Sequence, residues 1–493
     1  MLYSSTRDCS PSPRTVSAAE AIKEGLAPDG GLYLPESVPS LTRADFDALC
    51  TMDYPARAAM ILSRFLDDYP ADALAGDCRA AYAPEKFPGG SAPIRTLDGG
   101  IHALELWHGP TSAFKDMALQ IMPRLLSRAL TMTGERRIAH ILVATSGDTG
   151  KAALEGYRDV DGVKITVFYP LDGVSLMQKL QMQTTEGRNV NVVAVRGNFD
   201  DAQNGVKAIF SDPDLARRAD DAGFFFSSAN SINWGRLVPQ IVYYLSAYCD
   251  LVNAGKIAFG DPVNVAVPTG NFGNIFAAYL ARRMGLPAAR FLCASNRNNV
   301  LTDFLATGVY DRTREFHKTI SPSMDILISS NLERLLSFLG GPALTADLME
   351  SLRKTGKYEA PADLMQKIRA SFSGGYLDEE ETLAVIRGTW RDEGYLIDPH
   401  TAVGLGCVKN YRLETGDMTP VILASTASPF KFAPAVASAI GLPADGDVFA
   451  LLRRLSAETG NEIPAPLAAT ETLPVRFTCA IDPAEMPGIP FES

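Results

Sequence analysis

The chain is poor in the features that would settle its class at once. No stretch comes near the ~18 consecutive apolar residues of a membrane-spanning helix, so no membrane association is expected. The seven cysteines (Cys9, Cys50, Cys78, Cys249, Cys293, Cys407, Cys479) include no CxxC pair, and the five histidines (His102, His108, His140, His317, His400) include no HxxxH. A structural zinc site is therefore not expected, and the thiols read as reduced, in a cytoplasmic setting. There is no basic excess: 46 Lys and Arg stand against 57 Asp and Glu, a formal net charge of -11. That balance argues against a dedicated nucleic-acid binder. The 40 glycines and 32 prolines follow no period, which excludes collagen-like and low-complexity classes. The opening MLYSSTRDCSPSPRTVS has no basic head followed by an apolar core, so no secretory signal is expected there.

What remains is a globular composition, 46% hydrophobic and 21% charged, over 493 residues. That is room for about three domains. Strands of 4–8 residues alternate with helices of about ten from HILVAT (140–145) onward: VKITVFYP, NVNVVAV, FFFSS, VNVAVP, ARFLCAS and PVILAST. Such alternation predicts βαβ units, an α/β fold and parallel-rich sheets. The expected division is a front domain over 1–97, a main α/β region in two lobes over 98–430 and a helical, Pro-rich tail over 431–493. Within the main region the smaller lobe is expected over about 130–228 and a mostly helical stretch over about 300–392. FPGGSAPIRTLDGG (87–100) reads as the boundary loop.

Four segments carry chemistry. In WHGPTSAFKDMALQ (107–120) Lys115 follows Phe114 in a Gly/Pro/Ser turn. It reads either as a solvated lysine at a helix start or as a partly buried amine, whose lowered pKa makes it a nucleophile toward carbonyls. Thr111 and Ser112 supply nearby hydroxyls. ATSGDTGKAAL (144–154) and PTGNFGN (268–274) are strand–glycine turn–helix junctions, where unpaired backbone N–H groups bind carboxylate or phosphate. Either is equally an ordinary turn, with Asp148 or Thr149 capping the first helix. ILASTASPFKF (422–432) ends a strand in Ser425, Thr426 and Ser428, which is an ST turn or a hydroxyl partner for a heteroaromatic nitrogen.

These segments, with STRD (5–8), EAIKEGLAPDGGLYLP (20–35), NSINWGR (230–236), SPSMDILISSNLER (321–334) and DPHTAVG (398–404), occur in the order found in threonine synthases. The chain resembles the long form of that family, which has an extra N-terminal domain. The resemblance implies a two-lobed, pyridoxal 5'-phosphate-dependent fold of type II, the tryptophan-synthase-β-like fold. It implies that Lys115 carries the cofactor as a Schiff base, that Gly270, Asn271, Phe272, Gly273 and Asn274 hold its phosphate, and that Thr426 faces its pyridine nitrogen. Ser146, Gly147, Asp148 and Thr149 match the turn that takes the substrate carboxylate and flanks the ring. Thr111, Ser112, Asn230, Ser231, Asn233 and Arg236 are candidates for substrate contacts, and Arg236, Lys151, Ser321, Ser323, His317 and Lys318 for the substrate phosphate. Ser428 stands where the family commonly has histidine, and Asp8 where STR is commonly followed by glycine.

The implied reaction converts O-phospho-L-homoserine and water to L-threonine and phosphate, by γ-elimination and β-addition, as the last step of threonine biosynthesis. A monomer or dimer is expected, with no metal and no nucleic-acid partner. Two alternatives stay open. One is a phospholyase acting on a related phosphorylated amino acid; the other is a catalytically silent binding protein of the same fold.

Overall fold

The computed structural model describes residues 1–145, 147–171 and 174–492. Among these residues two sheets carry the architecture. The larger has six strands in the order Phe372–Tyr376, Ala288–Ser295, Val263–Pro268, Val421–Ser425, Ile101–Glu105 and Ile94–Leu97. All its pairings are parallel except that of the last edge strand. The smaller has five parallel strands in the order Ala480–Ile481, Val190–Val195, Val163–Pro170, Ile138–Ala144 and Phe224–Ser227. This is the two-lobed α/β arrangement that the alternation of strands and helices predicts.

The central strands show why that pattern is legible. Val263–Pro268 is buried at every position, as a parallel strand covered on both faces must be, so its sequence is a near-continuous apolar run. Helix Pro239–Asn253 is buried at twelve of its fifteen positions. A helix apolar on all sides belongs at the centre of a large core. It packs between helices Arg43–Thr51 and Tyr54–Leu62 of the front region and helix Gly273–Met284 of the larger lobe.

The front region contributes an antiparallel sheet of Thr15–Val16, Tyr3–Ser5 and Tyr33–Pro35. Its helix Ala18–Glu24 starts at a capping box, in which Ser17 and Glu20 satisfy each other's backbone N–H. One contiguous apolar cluster runs from Tyr3 and Phe65 through Val143 of the smaller lobe to Val265 of the larger. The Trp234 ring lies 5.4 Å from Tyr3 and 5.8 Å from Phe65, and Tyr82 Oη donates to the Met117 carbonyl at 2.7 Å. The front region thus buttresses the segment that carries Lys115.

The structure adds three details to the expected organisation. The stretch 87–100 is not only a loop: Ile94–Leu97 pairs antiparallel with Ile101–Glu105 at the sheet edge. The stretch 300–392 also contains the strand pair Val309–Asp311 and Lys357–Glu359, and the edge strand Phe372–Tyr376. That edge strand lacks β-branched residues because Gly374 lies under a helix. A Cβ there would sit 2.9 Å from the Thr302 backbone. Finally, the tail returns to the smaller lobe, where Ala480–Ile481 joins its sheet. No helix among the described residues is long and apolar enough to cross a membrane.

Candidate active site

The site is built on two backbone straps. The segment after strand Val421–Ser425 runs beside the Lys115 loop. Phe114 N donates to the Thr426 carbonyl at 2.8 Å, and Ser428 N donates to the Ser112 carbonyl at 3.0 Å. These bonds fix Lys115 and Thr426 relative to each other. Asp116 closes the loop from within, accepting from Thr111 N and Thr111 Oγ1, both at 2.8 Å. Ser112 holds a left-handed φ of 58°. Its hydroxyl is buried with no partner among the described residues.

Lys115 is buried. Its Nζ donates to Ser323 Oγ at 3.3 Å and lies 4.0 Å from Asp148 Oδ2. Burial pushes the amine down to about 8; Asp148 pulls it up, while Arg236 and Lys431 push it further down. The buried-amine reading therefore prevails over the solvated one. Asp148 sits in the first turn of helix Asp148–Tyr157. Its other oxygen accepts from Lys431 Nζ at 2.8 Å and from Gln178 Nε2 at 3.2 Å. Burial alone would raise this carboxyl, but Lys431, then Lys115 and the hydrogen bonds, hold it well below the usual carboxylate range. Lys431 is itself fully buried and also donates to the Thr111 carbonyl at 2.7 Å. One carboxylate thus stands between two lysines.

The turn before that helix is held by Thr145 Oγ1, which accepts from Gly147 N at 3.0 Å and Gly150 N at 3.1 Å. A Cβ on Gly147 would lie 2.5 Å from Gln178 Nε2, so the Gln178 amide packs directly on this turn. Thr149 follows, half-buried, in the first helical turn. Ser146 lies outside the described residues.

The turn at 270–274 opens helix Gly273–Met284. Two of its carbonyls are engaged outside the helix: Gly270 O accepts from Ser329 Oγ at 2.7 Å, and Asn271 O from Asn331 N and Nδ2 at 3.0 Å. Phe272 adopts a left-handed φ of 60° and packs on Phe372. The six successive N–H groups from Gly270 to Ile275 donate to no protein acceptor among the described residues. Asn274 Oδ1 is occupied by the Tyr243 and Tyr244 hydroxyls, while its Nδ2 is buried without a partner. Such a cluster of free donors at a helix start suits a phosphate.

The NSINWGR segment divides in two. Arg236 is buried, and its side chain donates to the Ala229 carbonyl at 2.8 Å. No carboxylate pairs with it among the described residues, and burial pushes it down to about 10. Its charge reaches Lys115. Ser231 Oγ accepts from Asn331 Nδ2 at 3.1 Å, beside the 270–274 turn, and the Asn230 carbonyl accepts from Asn233 N. Asn233 corrects the substrate reading. Its side chain caps helix Trp234–Leu237 through Gly235 N at 2.8 Å and donates to the Ile22 carbonyl at 2.9 Å, tying in the front region. Lys151 is likewise engaged elsewhere, by Glu155 and Thr185 Oγ1 at 3.0 Å. Ser321 belongs to a network with Asn296 and Thr319, and His317 N donates to Asn298 Oδ1.

Sequence reasoning missed Lys431, Gln178, Asn331 and the His400–Asp398 pair. Lys431, Asn331, Asp398 and His400 lie within STASPFKF, SPSMDILISSNLER and DPHTAVG, whose spacing alone gives none of them a partner. A groove of about 1770 Å³, lined by Lys86, Trp107, Arg124, Phe430 and Pro464 among others, follows the same loop. Ser112 and Ser428 line it and Lys115 does not. Among the described residues no three His, Cys, Asp or Glu side chains are placed to hold a metal.

A family model described as "Pyridoxal-phosphate dependent enzyme" matches residues 90–426. Models described as "Threonine synthase N terminus" and "Threonine synthase, C-terminal" match 2–82 and 401–483. The chain is 42% identical over 445 residues to threonine synthase-like 1 of Homo sapiens, covering 88% of this chain and 59% of that protein. It therefore spans less than two thirds of that relative. It is 39% identical over 448 residues to the threonine synthase of Pseudomonas aeruginosa, covering 89% of this chain and 90% of that one. The solved structure of PLP-bound threonine synthase from Brucella melitensis superposes with a TM-score of 0.86 at 36% identity, covering 98% and 97% of the two chains. A buried amine of lowered pKa, a turn with six free amide donors and an orphaned amide at Asn274 fit pyridoxal phosphate. The chain belongs to the threonine synthase family of pyridoxal-phosphate-dependent enzymes.

Proposed function

We propose that the chain is a threonine synthase, converting O-phospho-L-homoserine and water to L-threonine and phosphate. One observation carries this reading: two places built for anions accompany Lys115, the lysine whose amine is pushed down to about 8. They are the amide-lined turn at 270–275 and the buried Arg236 guanidinium that no carboxylate answers among the described residues. An uncompensated buried cation is costly, and a phosphorylated substrate supplies the missing charge. The cofactor phosphate takes the other place, held by Gly270, Asn271, Phe272, Gly273 and Asn274.

Pyridoxal phosphate, when bound, supplies the electron sink that lets protons leave Cα and Cβ although phosphate departs from Cγ. Lys115 holds the cofactor and moves the protons, which an amine near pH 8 does efficiently close to neutrality. The electron pair of a Cβ–H bond forms a Cβ–Cγ double bond as phosphate leaves Cγ with the C–O pair, and Cγ is protonated in a later step. Cβ loses one proton and gains the hydroxyl of water; Cα loses a proton and regains one. Ser323 and Asp148 orient the amine, the Gly147–Thr149 turn takes the substrate carboxylate, and the Thr426 hydroxyl serves the ring nitrogen. A hydroxyl there leaves that nitrogen largely unprotonated, which disfavours transamination.

The test is phosphate release and threonine formation from O-phospho-L-homoserine, with and without added pyridoxal phosphate. Lys115→Ala should abolish both, together with the visible absorbance of the loaded protein. Phosphate with 2-oxobutyrate and no threonine would make the chain a phospholyase. A protein left colourless by added cofactor would make it a silent relative.

A further inference from the structure

Behind Lys115 a chain of polar contacts runs from Ser323, which orients the amine, to His400 and Asp398, which the proposed reaction does not use. Ser323 sits in the short turn Pro322–Met324. Its hydroxyl accepts from Lys115 Nζ at 3.3 Å and donates to Asp148 Oδ2 at 3.4 Å. Its carbonyl lies 2.8 Å from where a Cβ of Gly270 would stand. The turn is thus wedged between the lysine and the amide-lined loop. What holds it there is His400, whose Nε2 receives the Ser323 backbone N–H at 3.1 Å. An amide can only donate, so Nε2 is the acceptor and the ring proton is on Nδ1, directed to Asp398 Oδ2 at 2.7 Å. The edge of the ring packs against Phe432, beside Lys431.

Asp398 does more than orient His400. It caps helix Pro399–Thr415, accepting from His400 N at 2.9 Å and Thr401 N at 3.2 Å, and its Oδ1 also takes the Thr401 hydroxyl. Thr401 Oγ1, its proton directed to Asp398, lies 3.1 Å from Ser425 Oγ and accepts from Thr426 N at 3.3 Å. One buried carboxylate therefore sends two arms into the site. The His400 arm ends at the lysine and the Thr401 arm at the Thr426 strap.

We infer that His400 is a positioning residue for Lys115, acting through Ser323, and that Asp398 is the hub that holds the lysine side and the Thr426 side of the site in register. The inference rests on Lys115 being the reacting lysine, but not on which product is formed. Its test uses the full-length chain. Without cofactor, acetylation of Lys115 is followed by mass spectrometry against pH in the wild type, His400→Leu, His400→Gln, Ser323→Ala and Ser323→Thr. A hydroxyl that accepts from the ammonium favours the charged amine. Loss of the hydroxyl, or of its support, should lower the midpoint below the wild-type value of about 8 in His400→Leu and Ser323→Ala. Glutamine keeps an acceptor for the Ser323 N–H and threonine keeps the hydroxyl, so both should stay near the wild type. In the loaded enzyme His400→Leu should lower kcat at least about tenfold with KM within about twofold, and His400→Gln should restore most of it. A wild-type midpoint in both His400→Leu and Ser323→Ala, or equal displacement by the conservative and disruptive variants, overturns the inference. Shifted midpoints in an enzyme that forms no threonine would leave it standing while the reaction reading fell.

Discussion

Replacing Lys431 by methionine keeps the buried stem and deletes one charge from the lysine–carboxylate–lysine row. In the native row Asp148 lies 2.8 Å from Lys431 Nζ and 4.0 Å from Lys115 Nζ. At an effective dielectric near 20, a unit pair 4 Å apart is worth about 4 kcal/mol, or about three pH units of amine basicity. Burial and the neighbouring cations outweigh that attraction, which is why Lys115 falls to about 8 rather than rising. With Lys431 gone, one opposing cation is removed and Asp148 retains Lys115 as its only ammonium partner. The Lys115 midpoint should then climb to between about 9 and 10. At neutral pH the free amine becomes roughly ten- to hundredfold scarcer. The assay is competitive acetylation of the cofactor-free chain across pH, read on the peptide that contains Lys115. Lys431→Arg, which keeps the charge, should stay near the native midpoint. Folding should also suffer by about 3–5 kcal/mol in the methionine variant, since half of a buried pair is left behind. A midpoint at or below 8 in Lys431→Met would refute the electrostatic reasoning, because it would mean that Lys431 exerts no field at Lys115.

Gly270→Ala places a Cβ 2.8 Å from the Ser323 carbonyl, so the 270–274 turn must move. Affinity for pyridoxal phosphate, followed by absorbance titration, should weaken at least about tenfold with thermal stability little changed; an unchanged Kd would refute the close packing. Asn233→Ala loses a helix cap and the bond to Ile22. It should cost about 1–2 kcal/mol in denaturant titrations while leaving KM alone; a raised KM with native stability would return Asn233 to the substrate. Asp116 is held up at about 6 by burial, against the lowering pull of its Thr111 hydrogen bonds. Its folded-state pKa lies above its unfolded one, so its contribution to stability is present below about pH 4 and lost as pH rises through about 6. Relative to the wild type, Asp116→Asn should therefore gain about 3 kcal/mol between pH 4 and pH 7, by the linkage of about two pKa units; parallel stability curves would refute it.

The parts of the molecule that the sequence announces are those whose physics is local. A parallel strand buried on both faces, such as Val263–Pro268, has to be apolar throughout. A strand-to-helix turn that must leave amides free needs glycine where another backbone segment passes close, as the Ser323 carbonyl does at Gly270. The strands that escape notice have no such signature. Phe372–Tyr376 gave up β-branched residues to let the Val300–Thr307 helix approach Gly374. Ile94–Leu97 is a partly exposed edge, and Ala480–Ile481 is too short to show a period.

The same distinction separates the candidate site residues. Lys115 and Asp148 stand in turns whose composition marks them. Lys431 looks like any lysine after a phenylalanine, and it is buried only because Thr111, 320 residues away, and Asp148 complete its bonding. His400 is likewise a lone histidine until Ser323, 77 residues earlier, donates to it. A buried charge is tolerable only with its partner in place. Where that partner comes from a distant part of the chain, no window of sequence contains the reason for the residue. The chemistry-bearing turns are therefore readable from motif alone, whereas the groups that tune them become visible only when the lobes come together. Lys431 and Asp398 belong to this second class, and each binds the Thr426 strap to the lysine side of the site. Substitutions at these two positions should for that reason disturb the setting of Lys115 more than they disturb any single contact with a ligand.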